Sequence, residues 1–286
     1  MKVLILGAKG NLGVQLQKVF EAGNELIVWD REEVDITDKE LILKKIEDIF
    51  PDIIINSAAY NAVDKCEENE EELLLAKKLN SDAPGYLAEA ALKVGAVLVH
   101  YSSDYVFDGK SKVGYAEKDT PRPINNYGKT KLGGEKNIIK LSGKGLRYYI
   151  IRTSKLFGPK GESEAAKRSF FDIMLKLGKE KDELDIVDSE ESCFTYTPDL
   201  ALWTKKLIES EKGSGIYHFV NEESSTWHSA VLELFKISGI KIKVNPVSPD
   251  RFPRPAKRPE FSVLVNTKFE KMRSYKQALY EYLKIE

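Results

Sequence analysis

The sequence predicts an α/β fold, a doubly wound parallel sheet with a smaller C-terminal α/β lobe. Three observations carry that reading. Short aliphatic runs alternate with amphipathic stretches through the first half, a glycine-rich turn closes the first run, and an aspartate closes the second. Parallel strands buried on both faces need continuous apolar runs, and helical crossovers must join them, which produces this alternation.

In order, the runs at 3–6, 26–29, 53–55 and 97–99 read as strands, and the stretches at 11–22, 39–49 and 71–94 as the helices between them. A helix over 126–141 leads to a strand at 148–151. Beyond residue 158 the rhythm loosens. The pattern there predicts helices at 165–177, 200–210, 229–237 and 275–283, strands at 184–187 and 216–220, and a proline-rich loop from 246 to 259. The expected division is a sheet unit over 1–157 and, over 158–286, mainly a substrate lobe, with some of its segments returning to the sheet. The run 67–72 reads as a solvated acidic helix start, since carboxylates favour that end of the helix dipole.

At 286 residues with 42% apolar content, the chain can bury a full core. Lys plus Arg number 44 and Asp plus Glu 45, so the near-neutral balance offers no general electrostatic basis for binding nucleic acid or an anionic membrane. No stretch is long and apolar enough to span a bilayer, and the first apolar run meets glycines after a strand's length, without a signal-cleavage pattern. Cys66 and Cys193 are too few for a disulfide framework and fit a reducing compartment as packed thiols. The expectation is a cytoplasmic protein with no nucleic-acid or membrane partner, and a homodimer is left open.

The first strand runs into Gly7-Ala8-Lys9-Gly10-Asn11-Leu12-Gly13, a GxxGxxG loop that opens directly into a helix. Its glycines permit a tight turn, close approach of the backbone to a pyrophosphate and close packing of helix on strand, while the helix N-terminus faces the phosphate charge. Asp30 closes the second strand, where a carboxylate accepts from an adenosine ribose hydroxyl. That favours NAD. Arg31, next in the chain, offers a guanidinium to the extra phosphate of NADP, so the cofactor is read as NADH or NADPH. With this loop the sheet reads as Rossmann-type.

The fourth run ends in His100-Tyr101-Ser102-Ser103-Asp104, placing hydroxyls at a strand's carboxyl end, where doubly wound sheets bind ligands. Downstream, Tyr127 and Lys131 stand four apart, on one face of a helix. A ketone accepting hydride develops negative charge on oxygen and needs a proton donor and hydrogen bonds aimed at that oxygen. Tyr127 is the expected donor, Ser103 the hydrogen-bonding hydroxyl, and the hydride comes from the cofactor. A free phenol titrates near ~10, and the Lys131 ammonium is expected to lower that value and to hold the nicotinamide ribose. His100, His218 and His228 are scattered without ligand spacing and read as packing or surface residues, with no metal site.

Over nearly its whole length the chain resembles the dTDP-4-dehydrorhamnose reductases, extended short-chain dehydrogenase/reductases. The similar segments are GAKGNLG at 7–13, VDITD at 34–38, PDIIINSAAYNAVDKCE at 51–67, HYSSDYVFDG at 100–109, YGKTKLGGE at 127–135, RTS at 152–154 and RPAKRPEFSVL at 254–264. The resemblance implies reduction of the 4-keto group of dTDP-4-keto-6-deoxy-L-mannose to dTDP-L-rhamnose. It carries the hydroxyl, tyrosine and lysine roles onto Ser103, Tyr127 and Lys131, and Ser103 keeps the hydroxyl where members often have Thr. It also implies that Asp35 and Ile36 border the adenine, that Ala58, Ala59 and Tyr60 line the cofactor cleft, and that Tyr105 and Val106 edge the sugar pocket. In the RPAKRP motif, Arg254, Lys257 and Arg258 are suitable cations for a substrate diphosphate.

The chain departs from the family pattern where a Trp that commonly follows RTS is replaced by Lys155. The charged stretch GPKGESEAAKRS leads to Ser169-Phe170 where members usually have a shorter link to an Asn-Phe pair, and SCFTYTPDLA at 192–201 differs from the usual Gly-Xaa-Pro-Thr form. Two competing readings follow. One is another nucleotide-sugar oxidoreductase, epimerase or dehydratase, although a dehydratase generally needs an added acid/base pair and no Glu follows Asp104. The other is a non-catalytic binding or regulatory protein on the same fold, for which the changes at Lys155 and Ser169 count mildly and against which Ser103, Tyr127 and Lys131 count.

Overall fold

The computed structural model describes residues 1–285 apart from 165 and 211. The first half alternates as the aliphatic pattern requires: β1 (Lys2–Leu6), α1 (Asn11–Phe20), β2 (Glu25–Trp29), α2 (Lys39–Ile49), β3 (Ile53–Asn56), α3 (Lys65–Glu68), α4 (Glu70–Lys77), α5 (Ala83–Val94), β4 (Val97–Ser103), α6 (Asn126–Ile139) and β5 (Arg147–Thr153). The second half is built from shorter pieces: β6 (Leu156–Phe157), α7 (Phe170–Glu180), β7 (Glu183–Val187), β8 (Ser192–Cys193), β9 (Thr195–Tyr196), α8 (Thr197–Glu209), β10 (Gly215–His218), β11 (Ser224–Ser225), α9 (Trp227–Ser238), β12 (Lys243–Val247) and α10 (Tyr275–Ile285).

Six parallel strands form one sheet in the order β2-β1-β3-β4-β5-β10. Alternation along each strand divides the side chains between two faces. Leu4, Leu6, Ile54, Leu98 and Ile150 pack against Ile42 and Ile46 of α2 and Leu87 and Ala88 of α5. Val3, Ile5, Ile55, Val99 and Ile151 pack against Leu12, Leu16 and Phe20 of α1 and Leu200 and Leu207 of α8. Both α8 and β10 come from the second half of the chain, yet both serve the sheet. An aromatic-rich core under Phe157, Phe171, Phe194, Phe235 and Tyr275 holds the remaining late elements together. The strand order reverses between β1 and β3, so their carboxyl ends open onto the crevice where such sheets take ligands.

Four local expectations are corrected. The helix expected at 71–94 is broken by a wide π-type turn at Lys78–Asp82, which buries Asn80 completely. There the Asn80 amide accepts from the Tyr60 backbone N–H at 2.9 Å and donates to the Tyr60 carbonyl at 3.0 Å, holding the loop after β3. The helix expected at 165–177 begins at Phe170, because Ser169 and Asp172 form a reciprocal cap; residue 165 lies outside the described residues. β12 runs through Pro246 and pairs in parallel with β7 where a loop was expected, and proline is tolerated because each strand of a two-stranded sheet is an edge. The acidic run is not simply solvated. Asn69 caps α4 with Glu70, Glu71 and Glu72 in its first turn, but Glu72 accepts from the Tyr60 hydroxyl and Glu67 accepts from the Asn126 backbone N–H at 2.6 Å, at the start of α6. Among the described residues no helix is long and apolar enough to cross a membrane.

Candidate active site

The glycine loop is shaped by contacts that exclude side chains. Gly7 takes φ +70°, and a Cβ there would lie 2.7 Å from the Ala58 backbone nitrogen; one at Gly13 would lie 2.2 Å from the Gly7 carbonyl oxygen. Gly10 caps α1. Leu12 is buried in the core beside Ala8, so it packs the helix onto the sheet. Asp30 braces the loop by accepting from the Lys9 backbone N–H at 2.9 Å, and its other oxygen accepts from the Arg31 N–H at 2.8 Å. Among the described residues the exposed Arg31 guanidinium has no ion-pair partner. The Asn11 amide is turned onto the segment after β6, accepting from the Gly161 N–H at 2.9 Å and donating to the Lys167 carbonyl at 3.0 Å. Asp35 closes its own turn by accepting from Thr37 N–H at 2.9 Å, and Ile36 is a core residue of the sheet, only 6% exposed. Ala58, Ala59 and Tyr60 follow β3 half-buried, and Ala58 N–H donates to Asn56 at 3.1 Å. This loop, with a carboxylate at the end of β2 and an unpaired guanidinium beside it, fits a dinucleotide.

Ser103 ends β4 and Tyr127 and Lys131 lie one turn apart on α6, all three buried. Asn125 caps α6, accepting from Gly128 N–H at 2.8 Å, so the helix begins immediately before Tyr127. The Tyr127 hydroxyl donates to Asn61 at 3.4 Å. Its phenol is pushed well up, first by burial and then by the charge of Asp104, while the Ser103 hydroxyl pulls the other way. This corrects the expectation that Lys131 lowers it. The Lys131 ammonium donates instead to the Tyr101 carbonyl at 2.7 Å, and burial brings it down to about 8 against the charge of Glu135. Lys131 keeps further N–H donors for a ligand.

Around Ser103, Tyr105 meets the Tyr127 ring edge-on at 5.7 Å. Val106 is fully buried among Phe107, Tyr115, Cys193 and Leu264, so the expectation that it edges the pocket is corrected: it supports the turn from below. Lys155 takes φ +38° and sets its ammonium 3.8 Å from the centre of the Trp227 ring, donating to the Glu190 carbonyl at 3.3 Å. Burial brings its ammonium down to about 8. Arg254 pairs with Glu190, and Arg258 grips Asp64 through two nitrogens at 2.8 and 2.7 Å, while Lys257 is exposed. Two of the three cations expected to meet a diphosphate are therefore already charge-paired, and their loop bridges the late elements to the start of α3.

A family model described as RmlD substrate binding domain matches residues 1–286, the whole chain. The chain belongs to this RmlD family. Its relatives include the spore coat polysaccharide biosynthesis protein SpsK of Bacillus subtilis (strain 168), 35% identical over 99% of this chain and 96% of its own. Among solved structures, a dTDP-4-dehydrorhamnose reductase from Clostridium acetobutylicum is 40% identical, covers 100% of this chain and 99% of that one, and superposes with a TM-score of 0.90. A dTDP-4-dehydrorhamnose reductase from Bacillus anthracis, solved in complex with NADP, is 34% identical with the same coverage and a TM-score of 0.92.

Sequence reasoning missed several residues of this RmlD-family site. Asn61, which holds the Tyr127 hydroxyl, lies next to Tyr60 in a quoted segment but carries no signal of its own. Asp64 and Glu190 could be found only as partners of the arginines, across 194 and 64 positions of chain. Asn125 was readable as a cap, standing directly before the helix that carries Tyr127. The histidines are packing residues: His100 is 1% exposed and bonded to Asn56 at 3.1 Å, and burial followed by the Lys131 charge keeps it neutral.

Proposed function

We propose that this chain catalyses the NAD(P)H-dependent reduction of the 4-keto group of a nucleotide-linked deoxysugar, dTDP-4-dehydro-L-rhamnose to dTDP-L-rhamnose. The observation that carries the reading is the placement of the Ser103 and Tyr127 hydroxyls, with the Lys131 ammonium, at the carboxyl end of β4 beside the glycine loop. The relatives named as reductases, one of them solved with NADP, support the same reading.

The dinucleotide supplies the hydride when bound. Gly7, Gly10 and Gly13 would admit its diphosphate to the backbone, and Asp30 and Arg31 would meet the adenosine ribose or its phosphate. Tyr127 holds its proton firmly at neutral pH and releases it only to a stronger base, which is what a ketone oxygen becomes as hydride arrives. Asn61 orients the phenol, Ser103 donates to the same oxygen, and Lys131 offers its remaining N–H groups to the nicotinamide ribose. The nucleotide-sugar would lie against Tyr105, Lys155 and the 254–258 loop, the late elements other than α8 and β10 forming most of the substrate lobe.

The test is oxidation of NADPH and of NADH, followed by absorbance, with enzymatically prepared dTDP-4-keto-6-deoxy-L-mannose and identification of dTDP-L-rhamnose as product. Tyr127→Phe should keep cofactor binding and lose turnover by about 100-fold or more, the usual share of a general acid. Undiminished turnover in that variant would overturn the assignment.

A further inference from the structure

The Ser103 hydroxyl carries one proton, and the structure spends it on a carboxylate. Ser103 Oγ donates to Asp104 Oδ1 at 3.0 Å and accepts from the Tyr105 backbone N–H at 3.1 Å. Asp104 is 3% exposed, and its other oxygen accepts from Ser262 Oγ at 2.6 Å. The basic groups nearby are engaged elsewhere: Lys155 with Trp227 and the Glu190 carbonyl, Arg254 with Glu190, and Arg258 with Asp64.

This arrangement conflicts with the work assigned to Ser103. A ketone oxygen set against Ser103 and Tyr127 needs the Ser103 proton, and a hydroxyl cannot give one proton to two acceptors. If Ser103 turned to the ketone while Asp104 stayed ionised, a buried charge would lose one of the hydroxyls that face it, keeping Ser262 and Ser154, and losing a donor to a buried charge is costly. A protonated Asp104 removes the conflict. Its O–H donates to Ser103 Oγ, the Tyr105 N–H fills the second lone pair, and the Ser103 proton is free to point at the substrate.

We propose that Asp104 is a positioning acid that works in its protonated form, aiming the Ser103 hydroxyl at the substrate ketone; this rests on the reading of Ser103 given above. The surroundings agree. Burial raises the Asp104 carboxyl, opposed by the Ser262, Ser154 and Ser103 hydroxyls and by the charge of Lys155. The titratable groups that face it are Tyr105 on its own turn, Tyr127 from α6, Lys155 after β5 and Cys193 from β8. Only Lys155 is a cation; while charged, below about pH 8, it favours the Asp104 carboxylate, and burial, the largest influence on Asp104, outweighs it.

The experiment is the pH profile of kcat/KM for the wild type, Asp104→Asn, Asp104→Ala and Ser262→Ala, with NADPH and dTDP-4-keto-6-deoxy-L-mannose, alongside NADPH affinity and thermal midpoint for each. The wild type should lose kcat/KM as Asp104 ionises. Asp104→Ala should fall by about 100-fold, the scale of a misplaced oxyanion donor. Asp104→Asn, whose amide N–H donates to Ser103 as the protonated acid does, should restore that loss and lose the part of the alkaline limb that belongs to Asp104, keeping the fall near pH 8 that Lys131 and Lys155 give both enzymes. Ser262→Ala removes a hydrogen bond that favours the carboxylate, so its limb should move to higher pH. An Asp104→Asn enzyme that binds NADPH normally but is as slow as Asp104→Ala would overturn the proposal, as would identical limbs in Asn variant and wild type, or a Ser262→Ala limb that stays put. A wild type that binds NADPH without turning over this sugar would instead overturn the reading of the site.

Discussion

The helix that carries Tyr127 and Lys131 is tied to the sheet by a buried ion pair, and the energy of that tie can be worked from its geometry. Glu135 of α6 accepts from Arg152 Nη2 at 2.7 Å, from Arg152 Nε at 2.9 Å and from Ser102 Oγ at 2.5 Å, and both charged side chains are 1% exposed. Arg152 also lies 5.0 Å over the Phe107 ring and meets His218 Nε2 at 3.4 Å. Glu135→Gln keeps the shape but leaves the guanidinium buried without a counter-charge, a loss of about 3–5 kcal/mol. At roughly 2–4 °C per kcal/mol for a large chain, the thermal midpoint should fall by roughly 6–20 °C. The double variant Glu135→Met, Arg152→Met removes both desolvation costs and should recover most of that loss, since apolar replacements of buried pairs are often neutral or stabilising. Urea unfolding at pH 7, with calorimetry as the second probe, reads both numbers. If Glu135→Gln stays within about 1 kcal/mol of the wild type, the pair is not the uncompensated-charge trap described here, and α6 is held by packing alone.

Two other perturbations have signs that the structure sets. Gly13→Ala would put a methyl 2.2 Å from the Gly7 carbonyl oxygen and 2.6 Å from that of Ala8, forcing α1 off β1; a stability loss of about 1–3 kcal/mol and weaker NADPH binding by fluorescence titration should appear together, and unchanged affinity would refute the close-approach argument. His218 is buried and neutral, donating through Nδ1 to the Val265 carbonyl at 3.2 Å and facing Arg152 through Nε2; burial and that guanidinium push it down to about 3. With the folded value depressed below the unfolded 6.5, the unfolded chain binds the extra proton. Its contribution is therefore whole above pH 6.5 and drains away as pH falls toward 3, by about 1.4 kcal/mol per pH unit. Urea midpoints measured from pH 7 to 4 should fall less steeply in His218→Gln, and parallel slopes would show that His218 does not carry the effect.

The sheet was legible because its cause is local. Ile53, Ile54 and Ile55 or Val97, Leu98 and Val99 can only be strands buried on both faces, and the turn at Gly7 can only follow a strand that feeds a helix. What escaped the sequence depends on partners far along the chain. β12 is a strand because β7, some sixty positions earlier, offers its edge, and nothing in the proline-bearing Lys243–Val247 stretch announces that. The wide turn at Lys78–Asp82 exists to put the Asn80 amide against Tyr60 and Thr130, which no periodicity encodes. Val106 shows the opposite error: three positions after Ser103 in sequence, it is turned by the short helix at Asp104–Val106 into the buried Phe107 and Leu264 cluster. Neighbours along a chain share a site only while the backbone stays extended or helical in the right phase.

Lys155 shows what the substitution after RTS does in three dimensions. A lysine alone would leave the late lobe without an aromatic plane at this point, but Trp227, at the start of α9, brings one against the lysine's ammonium, with Phe194 4.8 Å away on another side. The Trp227 indole N–H in turn donates to Glu190 at 3.1 Å, and Glu190 pairs with Arg254. Lys155 and Arg254, separated by 99 positions, thus belong to one connected unit whose joints are Trp227 and Glu190. A change at either joint reaches both cations: removing Glu190 frees Arg254 and strips the indole of its acceptor, and removing Trp227 leaves the Lys155 ammonium with only the more distant Phe194 ring and Glu190 without its indole donor. The surface that would receive the sugar and its diphosphate is for that reason set by a side-chain network rather than by the residue at position 155 alone.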